Sequence, residues 1–270
     1  MSDETTSVPA AERRHPMGFG YIPDLPDFRD GEHSFRAKLR AAATWPTPPP
    51  TSDLRAEMPP HYDQGMHGTC VWQAVAAVIE RLRARMGVPT DWTPSRLMGY
   101  YETRRLEGTV ALDNGCQIRN AVKVAVKVGV CPERHWPYPS DDPDQVADEW
   151  SWVYPRTSRA VQPPPPTAYR SATRYQAVRY RRVDNSSLLE VLVALGVERH
   201  PIIIGFMVYQ RSMYDARGPR PVVAMPPRHF LCRNSWGGRV QMRGDFAIPF
   251  DYLTDLDLAS DAWIIEGVER

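Results

Sequence analysis

The stretch Gln64-Gly65-Met66-His67-Gly68-Thr69-Cys70 leads directly into Val71-Trp72-Gln73-Ala74-Val75-Ala76-Ala77-Val78-Ile79-Glu80-Arg81-Leu82. Its second part places Val71, Val75, Val78, Ile79, Leu82 and Met86 at helical spacing, and Gly87 is a suitable stop. Its first part is a glycine-containing loop, so Cys70 falls in the first turn of the predicted helix. The free N–H groups and the positive dipole end of a helix stabilise an anion there. A thiolate so placed has a lowered pKa and is a better populated nucleophile. The plain alternative is that Cys70 is a small buried apolar residue.

Working outward, Ile118, Ala121, Val122, Ala125 and Val126 predict a second helix closed by Gly129, with Asp113 or Asn114 as its cap. An acidic stretch at 141–148 and the prolines 163–166 mark a boundary near the middle of the chain. Beyond it the pattern turns to strands at 202–209, 222–225, 230–233, 245–249 and 263–267, with one helix at 187–195. Residues 1–44 read as an extended arm and 45–60 as a second proline-rich stretch, a linker or a surface-wrapping strand. The predicted organisation is α+β: an arm (1–44), a helical half carrying Cys70 (45–160) and a β-rich half (161–270), with a cleft between the halves.

Composition narrows the function. The 270 residues carry 33 basic and 32 acidic side chains, a formal net charge of +1, which gives no electrostatic case for nucleic acid as the main partner. The run 202–208 is far shorter than the ~20 apolar residues of a membrane-spanning helix, and the polar N-terminus is no secretory signal. Cys70, Cys116, Cys131 and Cys232 lack CxxC spacing, so reduced thiols in a cytoplasmic protein are expected. Neither a metal nor a cofactor is implied. Only three lysines accompany the arginines. That excess reads as coding bias, with phosphate or carboxylate binding as the functional alternative.

A second motif, Arg233-Asn234-Ser235-Trp236-Gly237-Gly238, follows a short strand. The order Gln-Gly-x-x-Gly-x-Cys early and Asn-Ser-Trp-Gly late resembles the papain-like cysteine peptidase family. Asp113-Asn114-Gly115 looks like that family's substrate-binding glycine turn, and the stretch Cys131-Pro132-Glu133 to Trp136-Pro137-Tyr138 also fits. The likeness runs from Tyr21 to Ile265. It implies a papain-like fold, a peptide or protein ligand, and a role for each matched residue. Cys70 would be the nucleophile, and Gln64 with the Cys70 N–H would form the oxyanion hole. Asn234 would orient an imidazole shielded by Trp236, and Gly115 with Asn114 would hold substrate. His67-Gly68-Thr69-Cys70-Val71 departs from the papain signature at three of five places. His67 stands where secreted relatives carry a disulfide-bonded cysteine. The branch resembled is intracellular and without a propeptide, so no inhibitory pro-segment is expected.

The family also needs a histidine beside the cysteine. His15, His33, His61, His67, His135, His200 and His229 all lie outside the expected Gly-His-Ala context. Aligning the segment 218–224 with that strand puts Arg220 at the vacated position; the other alignment deletes the histidine strand altogether. His200 precedes a different strand, and His229 starts the strand that carries Asn234. Three readings follow: a degenerate peptidase homologue that still binds peptide, a Cys70-dependent acyltransferase or hydrolase with a recruited base (His67 or His229), and a non-catalytic scaffold.

Overall fold

The structure is a computed structural model and describes residues 20–25, 27, 46–87, 92–139, 142–148, 151–207, 227–238 and 243–269. The strand expected at 222–225 and the position of Arg220 lie outside the described residues.

A short parallel pair comes first in the chain. β1 (Tyr21–Ile22) aligns with β2 (Cys116–Gln117), so the arm is tied to the helical half. Helix α1 (Cys70–Arg85) starts at the nucleophile candidate, and Gly87 ends it with φ +70°. It packs among α2 (Arg96–Glu107) and α3 (Ile118–Lys127) around a core that includes Trp72, Val75, Ile79, Leu97, Tyr100, Ile118 and Val122. Ser95 caps α2 by accepting from the Met98 N–H, and Gly108 closes it in the left-handed conformation. α4 (Pro166–Ala172) carries its proline at the first helical position, where the missing N–H costs nothing.

The second half of the chain supplies the sheets. β3 (Ala177–Arg182), β7 (Ala259–Val268) and β4 (Ile203–Phe206) form an antiparallel sheet with β7 in the middle. Successive side chains of a strand point to opposite faces, and β7 shows what that does. Trp263 and Ile265 face the helical core, whereas Ala262 and Ile264 enter a second core with Val183, Phe230, Ile248 and Leu253. β5 (His229–Arg233) and β6 (Asp245–Pro249) form a hairpin against that second core. α5 (Leu188–Gly196) and α6 (Phe250–Thr254) flank it. The proline-rich stretch after residue 45 wraps the outside: a methyl group on Gly196 would meet Pro49 at 2.7 Å, and Ser52 donates to the Leu195 carbonyl.

Three expectations need correction. Neither Asp113 nor Asn114 caps α3; Gln117 occupies that place without a side-chain bond, because Asp113 points inward. α2 and β3 were not foreseen from the sequence. The strand read at 263–267 begins four residues earlier, because Ala259 and Ser260 pair with β4.

The α1–α2 contact is unusually tight at one point. Gly99 lies against the Trp72 indole, and a Cβ there would sit 2.2 Å from the ring. Trp72 is fully buried and donates Nε1–H to Thr103 at 2.8 Å. Gly99→Ala should therefore overpack the core and cost about 1–3 kcal/mol. Urea denaturation reads this as a lower midpoint, and an unchanged midpoint would show that α2 can slide away freely.

Candidate active site

The loop before Cys70 is built inward. The Gly68 N–H donates to Asp113 Oδ1 at 2.9 Å, and the same oxygen accepts from the Tyr100 and Tyr154 hydroxyls, both at 2.8 Å. Gly115, at φ +82°, donates its N–H to the Tyr100 oxygen at 3.2 Å. The loop before Cys70 and the glycine turn are thus fixed to one buried carboxylate, while Asn114 is exposed. His67 is fully buried. Its Nδ1 lies 2.9 Å from the Tyr154 oxygen, and its ring packs against Tyr138 and Tyr154. Tyr138, from the stretch ending in Trp136-Pro137-Tyr138, contacts the Thr69 hydroxyl at 2.5 Å and donates to the Gln64 carbonyl at 3.1 Å.

The Asn-Ser-Trp-Gly segment joins from the other side. Asp63 and Trp236 pair as an antiparallel bridge, flanked by Gln64 N–H to Ser235 O at 2.8 Å and Gly237 N–H to Tyr62 O at 2.9 Å. The Gln64 side chain, fully buried, donates one amide hydrogen to the His67 carbonyl at 2.7 Å and accepts from the Ser235 hydroxyl. The Asn234 side-chain oxygen accepts from the Ser235 N–H at 2.7 Å, while its backbone N–H donates to Gly244. Gln64, Cys70 and the Asn234–Gly237 segment are therefore linked through shared contacts of one loop.

The histidines are distributed differently. His229 occupies the first position of β5, paired with Pro249 and bonded to the Pro227 carbonyl, while Asn234 follows the strand's other end. Five residues of extended chain separate the two by about 16 Å. His200 follows α5 beside Arg181; burial and that charge hold its imidazole below the ordinary range. His61 was not singled out in the sequence. It contacts Asp245 at 2.8 Å and packs against Gly244, whose carbonyl binds Asn234. Asp245 opposite Arg233 in the hairpin register supplies that carboxylate, a pairing that no local sequence signal announces.

Two findings change the picture of the thiol. Burial pushes Cys70 up to about 11, and the Asp113 carboxylate adds to the rise. The helix start does contribute N–H groups, from Val71 and Cys70 itself, but desolvation outweighs them. Residue 20 of the arm lies against the loop that carries this thiol. Gly20 lies on the Gly68 backbone so closely that a Cβ would meet the Gly68 oxygen at 1.7 Å, and a Cβ on Gly115 would meet the Gly20 oxygen at 2.3 Å. The Gly20 carbonyl accepts from the Cys116 N–H at 2.9 Å, and its own N–H reaches the Cys70 sulfur. The sequence left the arm without a place at the site; here residue 20 stands over it. It presents an amide hydrogen to the sulfur, not a carbonyl carbon. Cys116, Cys131 and Cys232 are free thiols as well. Among the described residues no His, Cys, Asp and Glu cluster fits a metal ion, and no helix is long and apolar enough to cross a membrane.

The chain matches no family profile. An uncharacterised peptidase C1-like protein of Acanthamoeba polyphaga mimivirus is 30% identical over 287 residues, spanning 93% of this chain and 87% of that protein. The crystal structure of xylellain, a cysteine protease from Xylella fastidiosa, is 34% identical with a TM-score of 0.79, covering 96% of this chain and 99% of that one. Digestive procathepsin L 3 of Tenebrio molitor has the same fold at 12% identity, with a TM-score of 0.55 over 84% of this chain and 72% of that one. With the loop, the glycine turn and the Asn-Ser-Trp-Gly segment assembled as described, this chain belongs to the papain-like cysteine peptidase family.

Proposed function

We propose that the protein binds peptide in the cleft beside Cys70 and cleaves amides weakly or not at all. In this reading Cys70 is the nucleophile, Gln64 and the Cys70 N–H receive an oxyanion, and Gly115 with Asn114 and Trp236 borders the bound chain. One observation carries the doubt about turnover: β5 holds His229 at the end opposite Asn234. The preceding segment, 208–226, contains no histidine at all, and in this reading Arg220 takes the vacated position. Arginine stays protonated and takes no proton from a thiol. Loss of a triad member can lower kcat by about 10⁶, because the amine leaving group then departs without a proton. A second reading, Cys70-dependent hydrolysis or acyl transfer with a recruited base, gains support from the His61–Asp245 contact beside Asn234. A cytoplasmic location fits the free thiols.

Two measurements test this. Fluorogenic peptide amides should be cleaved at no more than the Cys70→Ala background, and Arg220→His should raise the rate. Robust turnover in the native chain that disappears in His61→Ala, His67→Ala or His229→Ala would replace the weak-turnover reading with a rebuilt dyad. Independently, iodoacetamide should alkylate Cys70 slowly at pH 7, where a thiol at about 11 is ionised in only about one molecule in ten thousand. The rate should climb about tenfold per pH unit up to pH 10. A plateau reached below pH 8 would mean an ion-paired thiolate and an active nucleophile.

A further inference from the structure

Arg81 leaves α1 with its side chain 0% exposed. One terminal nitrogen, Nη2, donates to the Glu57 carboxylate at 2.5 Å and to the Arg199 carbonyl at 2.8 Å. That uses two of the five N–H hydrogens of a guanidinium. Nε and Nη1 carry the other three. Both nitrogens are shut off from solvent, and neither finds an acceptor among the described residues. The residue after that carbonyl is His200, whose Nδ1 is likewise buried without a partner among the described residues. Buried polar groups are hydrogen-bonded as a rule, and a buried charge needs a counter-charge. Here the carboxylates are already shared out. Glu57 serves Arg81, Arg199 and, at 4.0 Å, Arg85. Glu198 and Glu266 converge on Arg181 of β3, and Glu266 also lies 3.5 Å from Arg179. Five guanidiniums thus face three carboxylates.

We propose that Arg81 and His200 hold a small inorganic anion, a halide such as chloride, between α1 and the turn that leads into β4. The Arg81 hydrogens and a proton on His200 Nδ1 are its donors. A water molecule would accept those hydrogens but leave the excess of positive charge, whereas a halide answers both. The enclosed position favours a single atom: a phosphate or carboxylate group would have to bring an organic molecule in past Arg85 and Arg199. The charges around His200 agree. Burial first, and then Arg181, hold its imidazole below the ordinary range; Arg81 and Arg85 add to that effect, and Glu266 opposes it. An anion beside the ring acts in the opposite direction, because it favours the imidazolium. Eleven residues of helix, about 17 Å, separate Arg81 from Cys70. The anion is therefore a structural ligand that joins α1, the turn at 55–57 and the entry to β4, and it takes no part in chemistry at the thiol.

Urea unfolding of the full chain tests the site, with sodium chloride exchanged for sodium methanesulfonate at constant ionic strength. A ligand held only by the folded chain raises the folding equilibrium constant in proportion to its concentration above the dissociation constant. Each tenfold rise in chloride should then raise that constant about tenfold. Bromide should replace chloride, and methanesulfonate should have no such effect. Arg81→Met should abolish the chloride dependence. Where that variant fails to fold, His200→Leu at a half-buried position reports instead, and should move the onset of the dependence to at least about tenfold higher chloride. A second readout separates binding from a general salt effect on stability. The imidazole signals of His200, identified in proton spectra by their loss in His200→Leu, should titrate at higher pH in chloride than in methanesulfonate. Either measurement coming out equal in the two salts would overturn the proposal, as would a chloride dependence that His200→Leu leaves unchanged. Neither measurement involves Cys70, so the outcome is separate from the turnover and alkylation tests.

Discussion

The site depends on the buried carboxylate of Asp113. An anion removed from water is tolerated only when donors replace its hydration, and here one oxygen receives the Gly68 amide and two tyrosine hydroxyls. Arg104 lies under those rings, 3.9 Å from the Tyr100 centroid, and spends its own hydrogens on the Val110, Leu112 and Ala160 carbonyls. The loop before Cys70, the glycine turn and α2 are thus tied together through side-chain polarity. His67, standing where the family resemblance would place a half-cystine, belongs to the same network through Tyr154. The arrangement holds the loop without a disulfide, and it carries a cost for chemistry, since the same anion opposes ionisation of Cys70.

The arginine excess has a structural explanation as well. Arg81, Arg96, Arg104, Arg119 and Arg181 are all buried. Arg81 meets Glu57 and the Arg199 carbonyl, Arg96 meets Gln73 and Glu133, and Arg181 meets Glu198 and Glu266. Five donors in a planar fork let one guanidinium satisfy several acceptors from different segments. A lysine would leave some of those acceptors unmet. The composition therefore records how the long loops are pinned down, and no phosphate or carboxylate ligand is needed to account for it.

Those loops also mark the limit of what local sequence conveys. α1 was legible because its apolar positions recur every three to four residues and a glycine loop precedes it. β6 was legible because its alternation is short and bounded. α2 was not, because the side chains it buries include Arg96, Glu102, Thr103 and Arg104; they look solvated until their partners are seen. The motif puts Cys70 and Gln64 on one loop; in the structure Cys70 opens α1 and Gln64 is buried in the loop before it. The ionisation of Cys70 was not, because the reading considered only the helix start and not what covers it. The proline-rich arm was read as extended, yet its partners Ser260 and Asp261 lie some 240 residues away, and no periodicity encodes such a contact.

Arm and sheet are also coupled energetically. A left-handed residue in a strand costs on the order of 1–3 kcal/mol and persists only where the surroundings hold it. Asp261 sits in a bulge of β7 at φ +58°, and there the surroundings are the Tyr21 hydroxyl, the Asp24 amide and Arg182. Two of these three donors belong to the arm. If the arm leaves, Asp261 keeps one guanidinium and the bulge loses most of what compensates it, so the kink in β7 and the occupied cleft are two sides of one arrangement. The same departure would remove the Gly20 N–H, one of the groups that offset the effect of burial on the Cys70 thiol. Cys70 itself is half-buried, so the arm lies against its loop without sealing the thiol from water.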